Sequence, residues 1–150
     1  MSRRRDRLLA ALKQHLLAPV LYRHPPVGLQ PERLYLWLDT LRATAHVPGD
    51  VLEVGCSVGG TAAVASRFLH RTGSRRAYVC VDTFDGFPRD QFEDDLSRGN
   101  DPANRHVFSA NAPGIARYVL RRHGAPGVRL IRGDVTALRP TALPERLSAV

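Results

Sequence analysis

Apolar positions along the chain change repeatedly between two spacings, and this alternation predicts an α/β fold. Short, nearly continuous apolar runs at 51–54, 77–82 and 128–132 are typical of strands buried on both faces of a sheet. Apolar residues three or four positions apart predict helices over 61–71 and 112–123, and Pro31 marks the start of an earlier helix. Strands separated by single helices indicate a doubly wound, mostly parallel sheet.

The first part of the chain has only helical patterns, so we divide the sequence into an N-terminal helical segment, 1–46, and a sheet-containing domain, 47–150. Leucines at helical spacing predict an amphipathic helix over Met1 to Leu21. Lys13, Gln14 and His15 interrupt its apolar run, which makes it too short and too polar to span a membrane. We expect this helix to pack on its own domain or on a second copy of the chain.

The most informative stretch is the first predicted strand together with the glycine loop that follows it. Glu53 lies near the end of the strand, and Gly55, Gly59 and Gly60 punctuate the turn into the next helix. A helix start offers free backbone N–H groups to an anion, and glycine lets a ligand approach the main chain. Glu53 would repel a phosphate but would accept a hydrogen bond from an ammonium group. The loop therefore favours a ligand with an amino-acid part, and S-adenosyl-L-methionine has one.

Three other interpretations of this loop stay open. A dinucleotide fingerprint would need glycine where the chain has Ser57. The residues 55–59 also match the G-x-S-x-G pattern of serine hydrolases, with Ser57 as the nucleophile, although no strands are predicted before it. The third interpretation is a loop that only joins a strand to a helix.

The second predicted strand also ends in an acid, Asp82. A carboxylate at this place can accept hydrogen bonds from both hydroxyls of a ribose. Glu53 and Asp82 together would bind the two ends of an adenosyl amino acid, although the same pair is compatible with NAD.

Two motifs resemble those of a known family. The run from Glu53 to Gly60 and the run Asp82-Thr83-Phe84-Asp85-Gly86-Phe87-Pro88 resemble the macrocin O-methyltransferase family of class I adenosylmethionine-dependent enzymes over about residues 47–150. The resemblance implies a Rossmann-like class I methyltransferase fold and a small-molecule hydroxyl acceptor, such as a sugar on a natural product. It implies these cofactor-binding residues: Glu53, Gly55, Cys56, Gly59, Gly60, Thr61, Asp82, Thr83, Phe84, Asp134 and Val135.

The last residues, 147–150, begin a further apolar run, which we interpret as the start of a fourth strand. The resemblance implies that a divalent metal, Mg²⁺, is bound beyond that strand in complete family members, so we assign no catalytic residue and no metal ligand here. We expect a cofactor-binding half of a larger domain, inactive alone. A non-catalytic cofactor-binding or interaction module is the main alternative from another class.

Two segments leave their roles open. Four carboxylates within residues 90–95 predict a solvated, mobile loop that could close as a lid, with Phe87 and Phe92 as its apolar groups. If so, Phe92→Ala should raise the KM for the acceptor. Asp134 could accept from an adenine amino group or could equally be an ordinary turn former.

The net charge and the cysteine count limit which partners and which compartment we expect. The formal net charge is +8, but all 22 basic residues except Lys13 are arginine, which we attribute to codon usage rather than to a nucleic-acid partner. Only two cysteines, Cys56 and Cys80, occur, so we expect a reducing cytoplasm and no structural metal.

Overall fold

A computed structural model of the chain describes residues 16–106, 108, 109 and 111–150, with the side chain of His106 outside this description. After a helix over residues 16–21, four further helices and four strands follow along the chain. The helices are α1 (Pro31–Ala43), α2 (Gly60–Arg71), α3 (Arg89–Ser97) and α4 (Pro113–Arg122), and the strands are β1 (Asp50–Val54), β2 (Tyr78–Asp82), β3 (Arg129–Arg132) and β4 (Leu147–Ala149). Short 3₁₀ turns cover Pro102–His106 and Pro140–Ala142.

The four strands form one all-parallel sheet in the order β3-β2-β1-β4. Strands β1 and β2 pair along four positions, from Val51 with Tyr78 to Val54 with Val81. Strand β4 pairs only with the start of β1, where Asp50 and Val51 are its partners. This order places the carboxyl ends of β1 and β2 side by side at one edge of the sheet, as the sequence predicts.

Each face of the sheet buries a separate apolar cluster, because alternate side chains of a strand point to opposite faces. Val51, Tyr78 and Cys80 face helices α1, α2 and α4, whose small residues Ala62, Ala63, Ala65 and Ala116 are completely buried there. Leu52, Val79 and Val81 form the opposite cluster with Ile131, Val135, Leu138 and Leu143. Among the described residues, the helical layer thus covers one face of the sheet.

The N-terminal segment packs on the domain at helix α4. Residues 16–21 are helical, and Ala18 and Tyr22 are buried against Ile115 and Val119. The carbonyl oxygen of Tyr22 accepts a hydrogen bond from Arg122 Nε at 3.1 Å and lies 3.0 Å from His123 Nε2. Packing on the same domain is thereby confirmed for these residues, whereas the predicted helix before residue 16 lies outside the described part of the chain.

A second property of the N-terminal helix concerns its outer face. Leu16, Leu17, Val20 and Leu21 are each more than half exposed. None of the helices in the described residues combines the length and the apolar content needed to cross a membrane.

The segment after Pro88 differs from the prediction of a solvated, mobile loop, because it forms helix α3. Phe92 explains the difference. Its side chain is only 1% exposed, so it fixes the helix to the domain although every residue around it is polar or charged except Leu96. The carboxylates face outward, where Glu93 and Asp94 bind Arg105 at 2.6 Å and Arg98 at 2.8 Å.

Candidate functional site

Two cavities lie at the carboxyl ends of β1 and β2, one on each side of the glycine loop. The Glu53 cavity has a volume of about 470 Å³, and Glu53, Cys56, Gly60, Thr61 and Trp37 line it together with the chain segment around Pro26. The Asp82 cavity has a volume of about 340 Å³, and its lining includes Asp82, Thr83, Phe87, Gln91, Asn111, Asp134 and Val135. The two cavities share Val54, Gly55, Ser57 and Phe108, so they form neighbouring parts of one cleft.

Gly55 forms the ridge between the cavities. It has a φ of +83°, and a Cβ atom at this position would meet nothing within 4 Å. The Gly55 N–H donates to Val81 O at 2.8 Å, which holds the first residue of the loop to strand β2. A ligand can therefore approach the main chain here, as the sequence predicts for a glycine at this position.

The other two glycines of the loop make room for the protein rather than for the cavity. Gly59 is the N-cap of α2 with a φ of +82°, and a Cβ atom there would lie 3.4 Å from Leu120 Cγ on α4. At Gly60, a Cβ atom would lie only 2.1 Å from the carbonyl oxygen of Pro26. Gly60 also lines the Glu53 cavity, whereas Gly59 lines neither cavity. The position of Gly59 thus supports a packing role, and its predicted contact with the cofactor stays a prediction.

Glu53 is held by two side chains that are distant in sequence. The Tyr78 hydroxyl donates to Glu53 Oε2 at 2.6 Å, and Trp37 Nε1 donates to the same hydroxyl at 3.0 Å. Burial raises the pKa of Glu53 to about 7, while the hydrogen bond from Tyr78 opposes this change and the charge of Asp82 adds to it. Burial and the neighbouring carboxylate also raise the pKa of Tyr78, so its phenol stays protonated and keeps donating.

Asp82 is held by backbone N–H groups of two loops. Its Oδ2 accepts from the Ser57 N–H at 2.7 Å, and its Oδ1 accepts from the Phe84 N–H at 2.8 Å. Ser57 and Phe84 have φ values of +53° and +51°, in the left-handed region that few residues other than glycine favour. Since an ionised carboxylate has about four acceptor positions, Asp82 can still accept from a ligand hydroxyl. These two backbone hydrogen bonds, the Asp82 clamp, are compatible with the predicted role of Asp82 with a ribose. The sequence alone does not reveal them.

Ser57 has a neighbour that argues against a nucleophilic role. Asn111 Nδ2 donates to Ser57 Oγ at 3.0 Å. A side-chain amide is not a general base at neutral pH, so it cannot take the proton that a serine nucleophile must lose. The contact instead links the glycine loop to the segment before α4.

The remaining predicted residues are divided between cavity and core. Thr83, Asp134 and Val135 line the Asp82 cavity, and Thr83 Oγ1 donates to Gly86 O at 2.6 Å. Phe84 is only 4% exposed, belongs to the apolar core and lines neither cavity, so its ring does not wall the Asp82 cavity as expected. Its N–H bond to Asp82 still gives it a place in the site.

Asp134 forms a turn, one of the two roles that its position allows. Its Oδ1 accepts from the Thr136 N–H at 2.9 Å and from Thr136 Oγ1 at 2.8 Å, and these bonds lower its pKa. Gln91 Nε2 on helix α3 donates to Oδ2 at 2.8 Å. Both residues line the Asp82 cavity, so helix α3 forms part of its wall.

Three phenylalanines connect helix α3 with the cleft. The Phe87 ring lies 5.7 Å from the rings of both Phe92 and Phe108. Phe87 and Phe108 line the cleft and are 42% and 47% exposed, but Phe92 is buried behind them. The lining by Phe87 agrees with the predicted apolar seal. The expected role of Phe92 in acceptor binding is corrected to one in packing, because its side chain does not reach the cleft.

Both cysteines are free and buried beside the site. A hydrogen bond with Cys56 and burial raise the pKa of Cys80. Cys56 lines the Glu53 cavity, as its place in the loop predicts.

The described residues do not provide a metal site. No group of three or more His, Cys, Asp or Glu side chains among them is arranged to hold a metal ion. The Mg²⁺ that the resemblance implies is expected beyond the fourth strand, so it is not tested by these residues.

Comparison with known proteins identifies the fold. No protein-family model matches the chain. No curated protein matches it in sequence. Solved structures that match in three dimensions include the O-methyltransferase NovP, with 21% identity, a TM-score of 0.56 and coverage of 77% of this chain, and the calicheamicin methyltransferase CalS11, with 21% identity, a TM-score of 0.50 and coverage of 87%. The match spans 49% of the NovP chain and 58% of the CalS11 chain, so this chain corresponds to about half the length of either.

These matches confirm the predicted Rossmann-like α/β fold, and the strand order agrees with it. At this level of identity they show the fold alone.

Proposed function

We propose that this chain binds S-adenosyl-L-methionine and forms the cofactor-binding part of an O-methyltransferase. The observation that carries the proposal is the placement of one carboxylate in each half of the cleft, with the open backbone of Gly55 between them. A ligand that spans the ridge would have an amino group near Glu53 and a nucleoside near Asp82. NovP and CalS11, two of the solved structures that share the fold, are methyltransferases, which supports this choice of ligand.

The residues fit adenosylmethionine at each end. The ionised Glu53 side chain can accept from the ammonium group, and Thr61 and the first turn of α2 lie close enough to the same cavity to meet the carboxylate. Asp82 can accept from the ribose hydroxyls, and Thr83, Asp134 and Val135 surround the space left for adenine. The cofactor, when bound, supplies a methyl group activated by its sulfonium.

The protein contributes to the reaction by holding the ligand in a fixed position. Glu53 and Asp82 would hold the two ends of an extended ligand, and the open backbone of Gly55 lies between them, so the ligand's reactive centre would be held in a fixed place for an acceptor. If an acceptor hydroxyl is methylated here, the cofactor would supply the methyl group and leave as S-adenosylhomocysteine, and the hydroxyl proton would pass to solvent. We propose a hydroxyl on a sugar or another natural-product scaffold as the acceptor, in a cytoplasmic reaction that the free thiols would suit.

Self-association through the N-terminal helix, whose outer face is apolar, is a further part of the proposal.

Isothermal titration of the 150-residue chain tests the ligand. We expect S-adenosylhomocysteine to bind, 5′-methylthioadenosine to bind at least about tenfold more weakly because it lacks the amino-acid part, and NAD⁺ not to bind. Equal binding of NAD⁺ and S-adenosylhomocysteine would contradict the proposal. A fluorophosphonate that labels Ser57 would instead favour the hydrolase.

A further inference from the structure

Helix α1 reaches into the cleft through one side chain that the proposed chemistry does not use. Trp37 lines the Glu53 cavity, and its indole N–H ends on the Tyr78 hydroxyl, 3.0 Å away. The Tyr78 hydroxyl lies 2.6 Å from Glu53 Oε2. Three residues from helix α1, strand β2 and strand β1 thus form one chain of hydrogen bonds that ends at the candidate ammonium acceptor.

The direction of this chain is fixed by chemistry. An indole nitrogen can only donate, so the Tyr78 oxygen must accept from Trp37. The single proton of the Tyr78 hydroxyl is then left for Glu53, and Oε2 must accept it. Two consequences follow for the carboxyl group. One acceptor position of Oε2 is filled by Tyr78, whereas Oε1 keeps both of its positions for a ligand and is the oxygen that most readily takes up a proton.

We propose that Trp37 and Tyr78 are positioning residues that hold Glu53 Oε2 and present Oε1 to the amino group of the ligand, so that affinity for this ligand rises with pH through the neutral range. This inference rests on the proposed function and deepens it. The titratable groups that face Glu53 are Tyr78, Cys80 and Asp82 on strand β2. Among the described residues, no cation forms an ion pair with Glu53, so the bound ammonium would be its first positive partner.

The direction of the pH effect follows from the state of Glu53. Because burial raises its pKa to about 7, a large share of Glu53 is protonated at neutral pH and lacks the negative charge that would attract an ammonium group. Raising the pH ionises Glu53 and strengthens binding until the free ligand loses its own proton, near pH 8 for an α-amino group. The Tyr78 hydrogen bond favours the ionised form. Removing this bond moves the midpoint to higher pH.

The test is a series of titrations with S-adenosylhomocysteine between pH 5.5 and 7.5. We expect the affinity of the wild-type chain to increase by about tenfold over one to two pH units. Tyr78→Phe should weaken binding about tenfold at pH 6.5 and move the midpoint upward, since one unit of pKa corresponds to a factor of ten. Trp37→Phe keeps the phenol but removes its donor, so it should cause a smaller change in the same direction.

Two controls separate this inference from general damage and from the proposed function. Tyr118→Phe removes a phenol that lies outside both cavities and should leave the pH profile unchanged. Binding of 5′-methylthioadenosine, which has no amino group, should not respond to pH or to Tyr78→Phe. If folded Tyr78→Phe and Trp37→Phe chains bind S-adenosylhomocysteine with the wild-type profile, the positioning role is wrong and the proposed function stands. If the wild-type chain does not bind S-adenosylhomocysteine at any pH, both are wrong.

Discussion

Glu53 and Asp82 end neighbouring parallel strands, yet the protein holds the two carboxylates by different means. Side chains from a helix and a strand hold Glu53, and a single hydrogen bond reaches its carboxyl group. Backbone N–H groups from two loops hold Asp82, one on each oxygen. Burial raises the pKa of Glu53. The comparison suggests that Glu53 can change its protonation to suit a ligand, whereas Asp82 is part of the framework that shapes the loops.

The largest effect is expected from Asp82→Ala, because Asp82 has both a structural and a binding role. The substitution leaves the N–H groups of Ser57 and Phe84 without their partner while both residues have left-handed backbone conformations. We expect the free energy of unfolding to fall by about 3 kcal/mol. We also expect affinity for 5′-methylthioadenosine to fall by roughly 10- to 100-fold if the ribose binds here. Urea denaturation and calorimetry measure the two effects separately.

Asp95→Ala is the matched control for that substitution, since Asp95 is exposed on helix α3. It should change neither quantity. An Asp82→Ala chain with wild-type stability would show that the clamp is unimportant, and one with wild-type nucleoside affinity would place the ribose elsewhere.

A smaller effect, of opposite sign, is expected for the stability of Glu53→Gln. The pKa of Glu53 is raised from 4.5 to about 7, so the folded chain binds this proton more tightly than the unfolded chain does. The free energy of unfolding therefore falls as the pH rises from about 4.5 to 7. Glutamine mimics the protonated acid, so the variant should be more stable than the wild-type chain by about 1–3 kcal/mol at pH 8 and equally stable near pH 4.5.

The stability gained by Glu53→Gln should come with a loss of function. Without the carboxylate, S-adenosylhomocysteine should bind no better than 5′-methylthioadenosine. Glu32→Gln, on the exposed surface of α1, serves as the control for the general effect of removing a negative charge. If urea denaturation gives the same stability difference between variant and wild type at both pH values, Glu53 does not titrate as its burial implies.

Local signals in the sequence account for the correct predictions. The apolar runs before Gly55 and Thr83 identify strands β1 and β2, and parallel pairing then brings their last acids to one edge. The same reasoning missed helix α3, because Phe92 is the one fully buried side chain among its charged residues. Burial of Phe92, the hydrogen bond from Gln91 to Asp134 and the ion pair between Glu93 and Arg105 hold that helix, and no periodic pattern predicts them.

The hydrogen-bond partners of the two acids could not be predicted, since they depend on tertiary contacts. Trp37 is 41 residues from Tyr78, and Tyr78 is 25 residues from Glu53. One signal did exist: a tyrosine inside a buried strand needs a partner for its hydroxyl. Nothing comparable indicates that Pro26 covers Gly60 or that Phe108 reaches both cavities.

The smallest effect is expected from Ser57→Gly, which tests whether the Asp82 clamp acts through the backbone alone. Glycine keeps the N–H that donates to Asp82 and accepts a φ of +53° without strain, but it loses the contact with Asn111 and gains freedom in the unfolded chain. These terms oppose each other, so we expect a change in stability within about 1 kcal/mol. Affinity for S-adenosylhomocysteine should stay within about twofold of wild type. A much larger loss of affinity would show that the Ser57 hydroxyl itself contacts the ligand, and Asp82 would then no longer account alone for binding on its side of the cleft.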